Sequence, residues 1–217
     1  MKKILLVCLM VFAFSAYAHA NRFSEAISAG NFYLGLGVGA GGSNNIDEVM
    51  AQMPFGNRNS SSSNAFWGLE AGFETPIISE TQLLGLRLGV NWHSEAKSRV
   101  SVGPWFDEIK NTIRTIPLTA YYKHMFENSK FSVTGGLGVT FISMEWTDTY
   151  YDSFGSGSVS VTDSRTSPHI AFGAEYRFSQ LFGLSLDFRY AFDGEIERGD
   201  FRRDVSFVGG LMARFYF

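Results

Sequence analysis

Three consecutive residues of this chain have the types that a hydrolase uses. His93, Ser94 and Glu95 supply a base, a nucleophile and an acid, and they end a segment of alternating apolar residues. Neighbouring side chains of a strand point in opposite directions, so the trio cannot form a hydrogen-bonded relay unless the chain turns sharply there. A catalytic role for these residues is therefore disfavoured.

A second set consists of charged residues at alternating positions within apolar or glycine-rich segments. It comprises Glu70, Arg87, Lys123, Glu175, Arg177, Asp187, Arg189 and Arg214. A charge in a narrow protein interior is costly unless it is paired and hydrogen-bonded. We therefore expect an interior network of ion pairs with a structural role, in preference to a conducting or gating role.

Assumed turn positions predict the pairs within this network. A turn between Ile78 and Ser79 would place Glu70 opposite Arg87. A turn centred on Phe182 leads to three further predictions: Glu175 opposite Arg189, Arg177 opposite Asp187, and Arg214 reaching Asp187 from the other side.

Eight alternating segments must hold these charges. They cover residues 31–42, 65–74, 83–93, 112–124, 131–141, 170–178, 184–192 and 205–217. Each has an apolar row on one face and glycine, polar or charged residues on the other, which is the pattern of a β-strand. Ten residues at ~3.3 Å each, tilted by ~40°, span roughly the 25 Å apolar band of an outer-membrane barrel.

No segment after residue 20 approaches the roughly 18 consecutive apolar residues of a membrane helix. Backbone groups in hydrocarbon must be hydrogen-bonded within the protein, which leaves a closed sheet as the way to cross a membrane. The sequence therefore predicts an all-β fold, an eight-stranded antiparallel up-and-down transmembrane β-barrel.

The connections between these strands alternate in length. Residues 43–64, 94–111 and 147–165 are long and polar, whereas residues 75–82, 125–130 and 179–183 are short. Long outer loops and short periplasmic turns are typical of such barrels, so both termini are expected in the periplasm. The long loops are expected to be mobile, and their aromatic residues are candidates for contact with an extracellular protein or glycan: Trp105, Phe106, Tyr150, Tyr151 and Phe154.

The first 20 residues have the pattern of a cleaved signal peptide. Lys2 and Lys3 precede an apolar run, and Ala18-His19-Ala20 fits the cleavage site, leaving residues 21–217 as the barrel domain. The mature chain then has 16 basic residues (18 minus Lys2 and Lys3) against 21 acidic ones, a net charge of about −5 that disfavours nucleic acid. The single cysteine, Cys8, lies in the signal, which removes disulfides and metal–thiolate sites. We expect no cofactor and no metal site.

The mature chain resembles the small eight-stranded outer-membrane barrels of the OmpA-type and opacity-protein superfamily. The segments FYLGLG (32–37), IPLTAYY (116–122), LSLDFRY (184–190) and RFYF (214–217) carry this resemblance. It implies a place in the outer membrane of a Gram-negative cell, contact with outer-membrane lipid and lipopolysaccharide, and insertion by machinery that recognises Phe215 and Phe217 at the chain end. A periplasmic peptidoglycan-binding domain is not expected.

Taken together, these patterns predict a non-catalytic barrel. It would act through its extracellular loops, in surface recognition or adhesion, or as a structural component of the membrane. A small porin-like channel is the alternative, although eight strands enclose only enough room for side chains. A lipid A-modifying hydrolase at the rim is less favoured.

Overall fold

The computed structural model describes residues 30–44, 56–61, 63–198 and 201–217. The predicted signal peptide, residues 1–20, lies outside the described residues. In the part that is described, no helix is long and apolar enough to cross a membrane.

The described residues form eleven β-strands. They are β1 (Asn31–Asn44), β2 (Asn57–Ser61), β3 (Ala65–Ser79), β4 (Gln82–His93), β5 (Ala96–Val102), β6 (Trp105–Met125), β7 (Phe131–Asp152), β8 (Gly155–Arg177), β9 (Phe182–Ala191), β10 (Glu195–Arg198) and β11 (Phe201–Tyr216).

Eight of these strands close into a ring. β1, β3, β4, β6, β7, β8, β9 and β11 pair in this order, always antiparallel, and β11 pairs back with β1 from Tyr33↔Tyr216 to Asn44↔Arg203. Closure gives every wall strand a hydrogen-bonding neighbour on both sides. The predicted eight-stranded antiparallel barrel is confirmed.

The outer wall of this ring is apolar. Its exposed side chains include Phe32, Leu34, Leu36, Val38, Leu69, Leu84, Leu86, Leu88, Leu118, Leu137, Phe172, Leu186 and Leu211. Trp67 and Trp92 stack with ring centroids 4.2 Å apart near one end of the wall. A soluble barrel would turn such rows inward, so this wall matches a hydrocarbon environment.

The two ends of the barrel differ. At the turn end lie the turns 80–81, 126–130 and 178–181 and the C-terminal Phe217, whose amide donates a hydrogen bond to the Phe32 carbonyl. At the opposite, projecting end, β6, β7 and β8 continue past the ring. The pairing of β6 with β4 ends at residue 114, and the pairing of β8 with β9 ends at residue 169, so the residues of β6 before 114 and of β8 before 169 lie beyond the closed barrel. We call the extension the projecting sheet: β2, β5 and residues 105–113, 143–152 and 155–168.

The prediction of loops is therefore wrong for two segments, which form β-strands instead. Residues 94–111 contain β5 and the start of β6, joined by a two-residue turn at 103–104, and residues 147–165 form a hairpin with its turn at 153–154. Paired hydroxyls join the two strands of this hairpin: Thr147 Oγ1 and Ser160 Oγ are 2.8 Å apart, and Thr149 Oγ1 and Ser158 Oγ are 3.1 Å apart. Threonine and valine favour extended structure even where both faces meet water.

Candidate functional site

The barrel interior near the turn end is filled by a hydrogen-bonded group of charges and tyrosines. Lys123 Nζ lies 3.1 Å from Glu74 Oε2 and 3.1 Å from Glu175 Oε1. Arg177 also pairs with both carboxylates, and the Tyr216 hydroxyl donates to Glu175 Oε2 at 2.6 Å. These contacts satisfy charges that have almost no access to solvent.

A second layer of charges lies further along the axis and is centred on Arg214. Its guanidinium contacts Asp187 at 2.7 Å, Glu70 at 2.9 Å and Glu175 at 3.1 Å. Arg87 contacts Asp187 at 2.7 Å and Glu70 at 3.7 Å. Glu175 joins the two layers, and we call the whole set the interior network: Glu70, Glu74, Arg87, Lys123, Glu175, Arg177, Asp187 and Arg214.

Glycines on the inner wall make room for this network. A methyl group added at Gly72 would overlap the Tyr33 ring, and one added at Gly85 would overlap the Tyr121 ring. The Tyr121 hydroxyl in turn donates a hydrogen bond to Glu74 Oε2 at 3.3 Å.

The structure brings most of the predicted charges together, but through different strand registers. Glu70 pairs in the ladder with Gly89 and not with Arg87, because β3 runs on through an irregularity between Pro76 and Ser79. Long side chains still meet across this two-residue offset. Arg87 has Asp187 as its closer partner.

The register predicted between β8 and β9 is also wrong. Glu175 lies opposite Ser185, not Arg189, and Arg177 lies opposite Gly183, not Asp187. The turn closes earlier than predicted because the Ser179 hydroxyl accepts hydrogen bonds from the amides of Leu181 and Phe182. The predicted contact from Arg214 to Asp187 is present.

Arg189 lies outside this network. Its nearest hydrogen-bond partner is the Thr115 hydroxyl at 3.5 Å, and it makes no ion pair among the described residues. It lines a cavity of about 60 Å³ together with Asn91, Thr119 and Phe66. A cavity of this size holds a few water molecules at roughly 15 Å³ each.

Sequence reasoning missed Glu74, although it continues the alternation from Glu70 through Gly72. It also missed Arg203, whose fully buried guanidinium donates to Asn111 Oδ1 and to the Ser94 carbonyl, each at 3.2 Å. Arg203 lies near the projecting end, where the alternation of β11 is interrupted by a register shift in its pairing with β1.

A hydrophobic core lies at the projecting end of the barrel. We call it the outer cluster: Ala96, Val100, Ile109, Ile113, Ile142, Met144, Trp146, Ile196 and Val205. Its members come from β5, β6, β7, β10 and β11, so it fastens the projecting sheet to the barrel. The cavity beside Arg189 borders the interior network, because Glu70, Arg87 and Asp187 also line it.

The three residues of the hydrolase pattern do not assemble into a relay. His93 faces the interior, and its Nε2 lies 3.3 Å from the Thr115 hydroxyl. The Ser94 amide donates to the Ala65 carbonyl, and Glu95 is exposed to solvent.

Four of the five aromatic residues predicted to contact a ligand lie on the projecting sheet, but not on one face. Phe106 and Tyr151 stack with centroids 6.1 Å apart on the convex face, where the Arg99 guanidinium lies 3.8 Å from the Phe106 ring centre. Trp105 and Tyr150 have the opposite orientation, on the concave side. Phe154 is at the tip of the hairpin and is 96% exposed. Trp105 and Phe106 therefore face opposite sides of the sheet.

The concave face of the projecting sheet also carries two neighbouring carboxyl groups. Asp107 and Asp148 come from adjacent strands, outside the apolar wall. Burial, a hydrogen bond with the Asp148 carboxyl group and the charge of that group raise the pKa of Asp107 to about 6.

One edge of the projecting sheet has no neighbouring strand within the described part of the chain. The Pro168 carbonyl accepts a hydrogen bond from the Phe192 amide, so even-numbered residues of β8 direct their backbone groups away from β7. By this alternation Ser156, Ser158, Ser160 and Thr162 present N–H and C=O groups along the edge. We call residues 155–162 the β8 edge.

Comparisons with known proteins agree with this architecture. The family model described as "Outer membrane protein beta-barrel domain" matches residues 4–215. No curated protein matches the chain.

Several solved structures are similar to this one at low sequence identity. The outer membrane protease OmpT from Escherichia coli is 8% identical over 86% of this chain and 97% of its own, with a TM-score of 0.50. A major outer membrane protein from Thermus thermophilus is 14% identical over 87% and 100%, with a TM-score of 0.49. Ail, the attachment invasion locus protein of Yersinia pestis, is 11% identical over 87% and 99%, with a TM-score of 0.47. At these identities the likeness concerns the fold alone.

Proposed function

We propose that this chain, which belongs to the outer membrane β-barrel family and lies in the cell outer membrane, recognises other proteins at the cell surface. In this proposal the signal peptide is removed, both termini face the periplasm, and Phe215 and Phe217 serve as the insertion signal. The projecting sheet then stands outside the cell. Its β8 edge accepts an extended segment of a partner protein as an additional strand.

The β8 edge is the observation that carries this proposal. An edge strand with free N–H and C=O groups is a template for pairing with another chain. Soluble proteins protect such edges with lysine, proline or bulges, whereas residues 155–162 contain none of these and pair with β7 without a register shift.

The surroundings of the edge indicate the chemistry of the partner strand. Val159 is exposed on the concave face, which also carries the exposed Tyr150 and Trp105, so alternate side chains of an added strand would meet apolar surface. The hairpin carries Glu145, Asp148, Asp152 and Asp163, while its Arg165 is paired with Asp193 at 2.7 Å. A segment with alternating apolar residues and a net positive charge fits this site.

The outer cluster supports the recognition role because it anchors β7, the strand with which the β8 edge pairs, before any partner binds. Preorganisation lowers the entropy cost of association. The same cluster, with the interior network, leaves little room for a solute path, which counts against the channel alternative. The His93 ring contacts the Thr115 hydroxyl in the interior and not the Ser94 side chain, which counts against the hydrolase alternative.

A peptide-display experiment tests this function. The barrel in phospholipid nanodiscs would be panned with a random dodecapeptide library, against a variant in which residues 147–160 are replaced by a two-residue turn. We expect basic peptides with alternating apolar residues to be enriched on the intact barrel only. Equal enrichment on the shortened barrel would contradict the proposal.

Two variants at one position then identify the binding mode. Ser160→Pro removes an edge N–H, whereas Ser160→Ala keeps it, and both lose the side-chain contact with Thr147. We expect selected peptides to bind Ser160→Ala like the parent protein and to bind Ser160→Pro at least about tenfold more weakly. Equal binding to both variants would rule out strand addition at this edge.

A further inference from the structure

We infer that the outer wall of β6, where the apolar wall meets the projecting sheet, binds the phosphorylated headgroup of a membrane glycolipid of the lipid A class. The apolar row of Ile116 and Leu118 ends at Arg114, which faces outward and is exposed. Among the described residues Arg114 makes no ion pair. Its guanidinium carbon lies 5.9 Å from the ring centre of Trp92, which stacks against Trp67 at this end of the wall.

A groove beside Arg114 has the composition that such a lipid requires. It encloses about 200 Å³ between β6, β7 and β8. Ile116 and Phe141 form an apolar floor level with the lipid-facing rows, and the hydroxyls of Ser143, Ser164 and Thr166 lie on its outer side. A guanidinium and hydroxyls next to an apolar floor suit a phosphate that is attached to acyl chains.

Further cations lie above Arg114 on the same face. Lys97, Arg99 and Lys110 surround Glu108 at 2.9, 3.9 and 3.3 Å. Glu145 is also on this face, so four cations stand against two carboxylates. Lys110 is four residues beyond Arg114 along β6, roughly 13 Å along the strand, where a second phosphate of a larger headgroup would lie.

The opposite side of the projecting end has the opposite charge. Asp193, Glu195, Glu197 and Asp204 cluster there with Arg202. A hydrogen bond that protonated Glu195 donates to the neighbouring Glu197 raises the pKa of Glu195, as expected where carboxyl groups crowd together. Anionic headgroups are therefore attracted to the β6 side and repelled from the β10–β11 side.

Continuity with the lipid-facing wall favours a lipid over free phosphate. A free anion would gain nothing from Ile116 and Phe141, whereas an acyl chain would cover them. This site does not involve the β8 edge, so it is independent of the proposed peptide recognition.

Lipid titration of the intact barrel tests the site. The protein in phosphocholine micelles would be titrated with bisphosphorylated lipid A, with its dephosphorylated form and with inorganic phosphate, and bound lipid would be counted by mass spectrometry of the intact complex. The variants are Arg114→Gln, Lys110→Gln and the double variant. Arg202→Gln on the acidic side is the matched control, and heat-modified gel migration verifies that every variant is folded.

We expect each glutamine substitution on β6 to weaken binding of bisphosphorylated lipid A about fivefold and the double variant about 25-fold, with no change for Arg202→Gln. We also expect added salt to weaken binding, and the dephosphorylated lipid to bind at least tenfold more weakly. Equal binding of both lipids, or an unchanged affinity in the double variant, would overturn the inference. Inorganic phosphate that binds as tightly as lipid A would show a free-anion site and would also overturn it.

Discussion

The two halves of the barrel interior are filled by opposite kinds of chemistry. Near the turn end, four carboxylates and four cations form the interior network. Near the projecting end, the outer cluster consists of nine apolar residues, as in a soluble protein. Two strands, β6 and β11, contribute inner-face residues to both sets.

The environment outside the wall explains this difference. Where the wall meets lipid, apolar residues must face outward, and the inner face receives the polar residues. Where β6 and β7 leave the lipid, the outer face meets water, and the apolar residues change to the inner face. On β6 this change occurs between Ile116, which faces outward, and Ile113, which faces inward and is buried.

Removing a carboxylate that joins the two layers should have the largest effect. Glu175→Ala would leave the buried Lys123 and Arg177 with the single carboxylate of Glu74 between them, and would remove the contact that joins them to Arg214. We expect a loss of about 3–5 kcal/mol in the free energy of unfolding. Urea unfolding followed by heat-modified gel migration measures this loss, and Glu127→Ala in an exposed turn is the control. An unchanged unfolding midpoint would contradict a stabilising role for the network.

A cavity in the outer cluster should have a smaller and more local effect. Ile142→Ala truncates a fully buried side chain, which costs about 2–4 kcal/mol. Because the cluster fastens the projecting sheet, we expect faster hydrogen exchange and faster proteolysis in β5–β8, with the closed barrel retained. Val159→Ala, at an exposed site on the same face, should change neither. Uniform destabilisation of the whole barrel would show that the two halves are one cooperative unit.

Glu70→Ala distinguishes partners within the network. Arg87 and Arg214 both keep Asp187 at 2.7 Å, so we expect a loss of only about 1–2 kcal/mol. Double-mutant cycles should give a larger coupling energy between Glu70 and Arg214, at 2.9 Å, than between Glu70 and Arg87, at 3.7 Å. The reverse order would restore the pairing predicted from sequence.

The strands that meet lipid were predictable because one of their faces is strictly apolar. The row from Leu84 to Leu88, alternating with Gly85 and Arg87, specifies both the strand and its orientation. The identity of most interior charges follows from the same alternation. Their partners did not follow, because a turn displaced by one or two residues changes every cross-strand pair, and long side chains reach diagonal neighbours.

The projecting sheet was not predicted, for a different physical reason. From Thr147 to Ser160 both faces meet water, so the apolar row that marks the other strands is absent. One signal was present in the sequence: Ile142, Met144 and Trp146 continue the alternation of β7 with apolar residues on the inner face. Such a change of face marks the boundary of the lipid and the start of a water-exposed sheet.

The smallest expected effect concerns Asp107 on the concave face of the projecting sheet. Its pKa, about 6 in the folded protein, is above the ordinary value of 3.8. Between pH 4 and 6 the folded state therefore binds more protons than the unfolded state, and the stability of the sheet falls as pH rises through this range. Asp107→Asn removes this cost, so the variant should gain about 1 kcal/mol at pH 7.5 and should match the parent protein near pH 3, below both pKa values. Hydrogen-exchange protection of β6 and β7 amides at both pH values measures the gain. Glu145→Gln, a carboxylate-to-amide change on the convex face, is the control. Equal protection of the parent and Asp107→Asn at pH 7.5 would show that the pair of carboxyl groups does not lower the stability of the sheet.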